Sequence, residues 1–318
     1  MSSRRRYRIP GSLTVSLAHL LVYVIVVAST LQPSGFASTP QDTARTIVSD
    51  DFTRNRPKAT TRRNSARRAN NPSAGESSSG RRYRLASESS AGVVTKSSLL
   101  NSSQLGLTIW KLRPGVRESR SRVPVNEIGA DTFGWIAERV EADTGFRRGD
   151  RLSLSIESPR AGYLYLIDRD WFTDGSLSLT KLIFPIRGDN NLLQAGRLID
   201  IPAEGRPAMT AEPGQNQAGE MLTIIVTSSP LRLALSDQPM PIADTRLSEW
   251  EEMWGGTAQR YEMEGGAGQV RTIQEQQAAT SKGMRQLSRN DPPPQTIYLV
   301  KSKKGGAFLF NVKLSYLR

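Results

Sequence analysis

Residues 146–202 read FRRGDRLSLSIESPRAGYLYLIDRDWFTDGSLSLTKLIFPIRGDNNLLQAGRLIDIP. Four short apolar runs are separated by Gly, Pro, Asp and Asn, the pattern of antiparallel strands joined by tight turns. Leu152, Leu154 and Ile156 alternate with Arg151, Ser153, Ser155 and Glu157. A period of two puts the three apolar residues on one face of a half-buried strand. Arg148-Gly149-Asp150 before this run and Ser158-Pro159-Arg160-Ala161-Gly162 after it supply turn chemistry. Tyr163 to Ile167 is continuously apolar, as for a strand covered on both faces. Leu177 to Phe184 alternates again, with Leu177, Leu179 and Lys181 on one side, until Pro185 ends the run. Leu198 to Ile201 is a fourth short strand, stopped by Pro202.

Outward from this stretch, Leu105 to Leu112 reads as a strand closed by Pro114-Gly115, and Trp135 to Ala142 as a second. Met221 to Val226 is a further apolar run ended by Thr227-Ser228-Ser229-Pro230. Asp244 is placed to cap a helix whose Leu247, Trp250 and Trp254 share one face, and Gly255-Gly256 stops it. Gly265 to Gly268 is a flexible break, and Arg271 to Leu287 reads as a solvated helix or disorder. Thr296 to Val300 and Ala307 to Tyr316 form an expected hairpin around Lys303-Lys304-Gly305-Gly306. Phe308, Phe310, Val312, Leu314 and Tyr316 alternate, and such an apolar strand face is costly to expose, so it is expected to pair with the preceding sheet. The fold class expected is mainly β, an antiparallel β-sandwich-like domain with one or two short helices.

Four arginines, Arg4, Arg5, Arg6 and Arg8, precede an uncharged run from Leu13 to Ala28, followed by Pro33, Gly35 and Ala37. This is the pattern of an export signal, or of an uncleaved membrane anchor with the remainder outside. From residue 38 to 103 no period survives, and the segment is rich in Ser, Arg, Asn and Thr. Such composition does not bury enough apolar surface to offset ordering entropy, so a disordered basic linker is expected. The organisation expected is therefore a signal or anchor over 1–37, a linker over 38–103 and a β-rich domain over 104–318. Within that domain, 231–295 is a helical or flexible excursion and 296–318 a closing hairpin.

The chain has 318 residues and a formal charge of +13, but residues 1–37 carry +4 and residues 38–122 carry +11, leaving −2 for the rest. The basic character belongs to the arm, where anionic lipid is the expected electrostatic contact and export argues against nucleic acid. There is no Cys, and the single histidine, His19, lies in the apolar N-terminal run. The folded part therefore lacks the residues for Ser-His-Asp or Cys-His catalysis and the usual zinc ligands. Asp168, Asp170 and Asp174-Gly175 resemble a calcium loop, but Phe172 stands where an oxygen ligand is needed and no Glu follows the glycine. Ser178 to Lys181 matches S-x-x-K without the helix start or the K-T-G partner of that motif. Arg148-Gly149-Asp150 and Arg187-Gly188-Asp189 sit at turns, and Trp250 and Trp254 read as packing residues or as a partner-binding platform. No catalytic, cofactor-binding or metal-ligating residue is assigned.

Seven short motifs in order, W-K-L-R-P, G-D, S-P-R-x-G-Y-L-Y-L-I-D-R-D, L-I-F-P, A-G-R-L, I-P and L-T-I-I-V-T-S-S-P-L, resemble the domain-of-unknown-function family numbered 4384. The matching residues include Gly149, Asp150, Gly162, Tyr163, Tyr165, Phe184, Pro185, Gly196 and Pro202, over about residues 105–231. The resemblance implies an all-β domain of exported bacterial proteins, with no catalytic residues to carry over. The function expected is a non-enzymatic binding or interaction module of the cell envelope, in the periplasm or membrane-tethered, whose partner is a protein or envelope component. The alternatives are a carboxylate-based glycan hydrolase using Asp168, Asp170 and Asp174, or a purely structural envelope protein.

Overall fold

A computed structural model describes residues 40–58, 102–115, 134–280, 285–302 and 306–317. The expected signal or anchor over 1–37 and most of the basic linker, 59–101, lie outside these residues. No helix among the described residues is long and apolar enough to cross a membrane.

The described chain is mainly β, in two antiparallel sheets. Strands β1 (Ser103–Pro114), β2 (Trp135–Val140), β3 (Arg151–Glu157), β7 (Ile199–Ile201), β8 (Met209–Thr210), β11 (Gly256–Glu262) and β12 (Thr296–Ser302) make a seven-stranded sheet. Its main path runs β11-β12-β1-β3-β7, with β2 on β1 and β8 on β3. Strands β4 (Gly162–Phe172), β5 (Lys181–Phe184), β6 (Leu192–Leu193), β9 (Gln217–Thr227), β10 (Met240–Pro241) and β13 (Phe308–Ser315) make a six-stranded sheet in the order β10-β5-β4-β9-β13, with β6 on β4. The alternating residues Leu152, Leu154, Ile156, Leu164, Leu166, Leu222, Ile224, Phe308 and Phe310 from both sheets meet in one buried core.

Three elements differ from the sequence expectation. The run from Leu177 to Phe184 is a strand only from Lys181, and Leu179 is 73% exposed. The strand stops where its apolar face has no opposing surface to bury. β12 and β13 are not a hairpin. β12 pairs with β1 and β11, whereas β13 pairs with β9, so the two strands belong to different sheets. Two adjacent apolar strands satisfy periodicity equally well in one sheet or in two, and the unpaired edge of β9 takes β13. The excursion 231–295 holds helix α2 (Asp244–Trp254), the unanticipated strand β11 and helix α3 (Ile273–Ala279). Asp244 is the first residue of α2, after Ala243 at the cap, and its Oδ1 accepts from Thr180 Oγ1 at 2.6 Å. Gly255 ends α2 because a Cβ there would stand 2.2 Å from the carbonyl oxygen of Glu251.

A fourth difference lies in the arm. Residues 40–54 form helix α1 (Pro40–Arg54), which docks on the outer face of the seven-stranded sheet. Val48 and Phe52 are fully buried against Tyr261, Met263, Ile297 and Leu299. Gly106 on β1 permits this approach, since a Cβ there would lie 2.8 Å from the Phe52 ring and 2.3 Å from Pro294. Two turns beyond Val48, Arg56 enters the sheet face and meets Glu157 through Nε at 2.8 Å and Nη2 at 2.6 Å. Both side chains are 1% exposed. Arg56 Nη1 donates to the carbonyls of Asp291 and Pro292 at 2.9 and 3.0 Å. Composition misled here because three arm residues, Val48, Phe52 and Arg56, carry the docking against the sheet, and the rest of the arm has a solvated composition.

Removing one member of a buried ion pair strands the other charge, at a cost of about 3–5 kcal/mol. Arg56→Ala is therefore expected to lower unfolding stability by about that amount in chemical denaturation, while Arg54→Ala, at an exposed position, stays within about 0.5 kcal/mol of the parent.

Candidate functional site

The outer face of the seven-stranded sheet is polar where it leaves the arm. The guanidinium groups of Arg139 and Arg271 lie over the ring of Trp110 on β1, 5.3 and 5.4 Å from its centre. Trp110 Nε1 donates to Ser155 Oγ at 2.7 Å, and Ser155 Oγ donates to Asp200 Oδ1 at 2.6 Å. Arg271 Nη2 meets Asp200 Oδ2 at 2.7 Å. Arg139 is paired with Glu275 of α3, and both side chains are 4% exposed. α3 starts with a capping box: Thr272 Oγ1 accepts from Glu275 N at 3.2 Å, and Glu275 Oε2 accepts from Thr272 N at 2.9 Å. The T-x-x-E pattern that builds this box was readable in the sequence, and it marks the helix start. One carboxylate thus caps its own helix and binds it to β2. Ala278 and Leu287, with Leu198, fill the space beneath.

Beside Asp200 this cover leaves a groove. One side is the end of α3, with Gln276, Ala279 and Thr280, and the other is the turn from Pro202 to Arg206. The floor is Leu112, Ser153 and Asp200. The cavity measures about 130 Å³ and adjoins a second of about 70 Å³ toward Arg197 and Asp189, with Asp200 and Glu204 common to both. Two polar atoms here are buried without a partner, Arg271 Nε and Gln276 Oε1. Sequence reading missed this site: Asp200 and Arg271 lie 71 positions apart, and no short motif joins them.

The carboxylates singled out in the sequence lie elsewhere and are only partly brought together. Asp168 and Asp170 continue the inward face of β4 beyond Leu164 and Leu166, while Asp174 stands in the exposed turn, where its Oδ1 accepts from Ser176 N at 2.9 Å. Glu220, opposite Asp170 on β9, joins the first two, although the sequence reading did not mark it. Its even spacing from Leu222 and Ile224 was the available signal. Gln217 Nε2 donates to Asp170 Oδ1 at 2.7 Å, and Tyr316 Oη donates to Glu220. Burial, with the carboxylates of Glu220 and Asp170 nearby, pushes Asp168 up to about 7. Burial likewise raises Glu220. Among the described residues no group of three acidic or His side chains is arranged to hold a metal ion.

The remaining motifs have structural partners. Ser178 Oγ accepts from Asp170 N at 2.8 Å, and Lys181 opens β5. The two Arg-Gly-Asp turns have glycines at φ +84° and +88°. Their aspartates hold Lys111 at 2.6 Å and Arg206 at 2.9 Å. Trp250 is buried under α2, and Trp254 stacks on it at 6.0 Å.

Asp168 has a pH consequence. Its carboxyl ionises near pH 4 in the unfolded chain and near 7 in the folded one. The folded state therefore binds more protons between those values, and stability falls as pH rises through that window. In thermal melts the parent is expected to lose more stability between pH 4.5 and about pH 8 than Asp168→Asn does. Equal losses in the two proteins would show that Asp168 is ionised throughout.

No family model, curated protein or solved structure matches the chain.

Proposed function

We propose that this chain is an exported, non-enzymatic binding module of the bacterial cell envelope, with a β-sandwich domain related to family 4384. The groove beside Asp200 is the observation that carries the binding reading. It is concave and polar, and it is built from segments distant in sequence that buried ion pairs hold in place. Preorganised polar groups around a small cavity suit recognition, because little side-chain ordering remains to be done when a partner arrives. The export reading rests on the arginines before residues 13–28. The basic arm supplies the contact to anionic lipid. A second reading, carboxylate-based glycan hydrolysis, draws on Asp168, Asp170 and Glu220, one of them protonated near neutrality. Gln217 and Tyr316 engage two of these three, which favours a structural role for the cluster.

A photo-crosslinking residue placed at Thr280 in the groove, with a control at the exposed Leu179 in the segment before β5, tests the binding reading in living cells. The expected outcome is an envelope partner captured at Thr280 and not at Leu179. Identical captures at both positions, or none at Thr280, would count against a binding role for the groove.

A further inference from the structure

We infer that the groove beside Asp200 takes a neutral sugar unit, an inference that rests on the binding-module reading above. The first observation is the pair of unsatisfied atoms. Arg271 is 5% exposed and its Nε–H has no acceptor, while Gln276 Oε1 is buried and has no donor. Both residues line the same cavity. A buried polar atom left unpaired costs about 1–3 kcal/mol. Both atoms are closed to solvent, so an occupant reaches them only as the two side chains turn toward the groove, where a hydroxyl group can accept from Arg271 and donate to Gln276.

The second observation is charge. Arg271 is neutralised by Asp200 and Arg206 by Asp189, and the groove holds Arg197 with Glu204 besides. Among the described residues lining the two cavities, three guanidinium groups thus stand with three carboxylates, so this lining offers neither an anion nor a cation a net attraction. Neutral ligands rich in donors and acceptors are favoured. Asp200 and Ser153 on the floor add an acceptor and a hydroxyl for further ligand hydroxyls. The third observation is shape. A cavity of about 130 Å³ is well above the roughly 10–15 Å³ that admits a single water; this is the scale of a ring and not of a single solvent site. Leu112, Pro202 and Ala208 provide apolar wall for the C–H faces of such a ring. The smaller cavity beside Glu204 continues the track for a neighbouring unit.

The test uses the full chain and saturation-transfer NMR with glucose, N-acetylglucosamine and the N-acetylglucosamine trimer as probes. Transfer is expected to at least one probe, to saturate in the millimolar range or below, and to weaken by roughly tenfold or more in Gln276→Leu. That variant removes the Oε1 acceptor and leaves all three ion pairs in place. Ser153→Leu, on the floor, is expected to act in the same direction, and circular dichroism checks that both variants are folded. Absent transfer, or transfer unchanged in both variants, would overturn the inference and leave the groove as a water site. The crosslinking experiment separates the two levels. A protein captured at Thr280 without sugar binding removes the sugar and keeps the binding module, whereas failure of both experiments removes both.

Discussion

Three buried guanidinium–carboxylate pairs govern the outer face of the seven-stranded sheet: Arg56 with Glu157, Arg139 with Glu275, and Arg271 with Asp200. In each pair one partner belongs to the sheet and the other to a segment lying over it. Glu157, Arg139 and Asp200 come from β3, β2 and β7. Arg56 comes from the arm, Arg271 from the strand-to-helix connection and Glu275 from α3. Desolvating such charges is expensive, and a buried pair is weak evidence of net stabilisation. Its effect is on specificity. Once an apolar sheet core is formed, an unpaired Glu157 or Asp200 penalises every arrangement that leaves its arginine elsewhere.

The two faces of that sheet therefore do different work. The inner face, with Leu105, Leu107, Leu154 and Ile156, buries apolar area against the second sheet and supplies the driving force for folding. The outer face selects which segments cover it and where. The groove follows from this division, because α3 is fixed by Glu275 at its start and by Ala278 and Leu287 beneath, and its last residues overhang Asp200. A site formed between a rigid strand and a clamped helix keeps its polar groups in position without a ligand. Asp168, toward the end of β4, has the opposite character, since its neighbours are other carboxylates and burial opposes its ionisation.

Strand content was legible because period-two alternation needs only neighbouring residues, as at Leu152 to Ile156 and Phe308 to Leu314. The edge strand β11 was not, since Gly256-Thr257-Ala258-Gln259-Arg260-Tyr261-Glu262 has no clean alternation and owes its conformation to β12. The separation of β12 from β13 was invisible for a related reason: pairing is decided by which edges stand open, and that is a property of the whole sheet. The candidate site was the least legible part. Arg56, Arg271 and Glu157 are charged residues that any composition argument assigns to solvent, and each is buried beside a distant partner that neutralises it. The capping box at Thr272 was the one local clue that the segment after Arg271 is ordered.

Hydrogen exchange on the full chain tests most directly whether the ion pairs clamp the cover. Backbone amides of residues 46–56 and 273–279 are expected to be protected in the parent. Glu157→Gln should accelerate exchange in the first segment, and Arg139→Gln in the second, with the central strands β4 and β9 unchanged. Exchange of both segments at free-chain rates in the parent would contradict such a clamp, and would leave the sheet's outer face, and the groove, without a fixed cover.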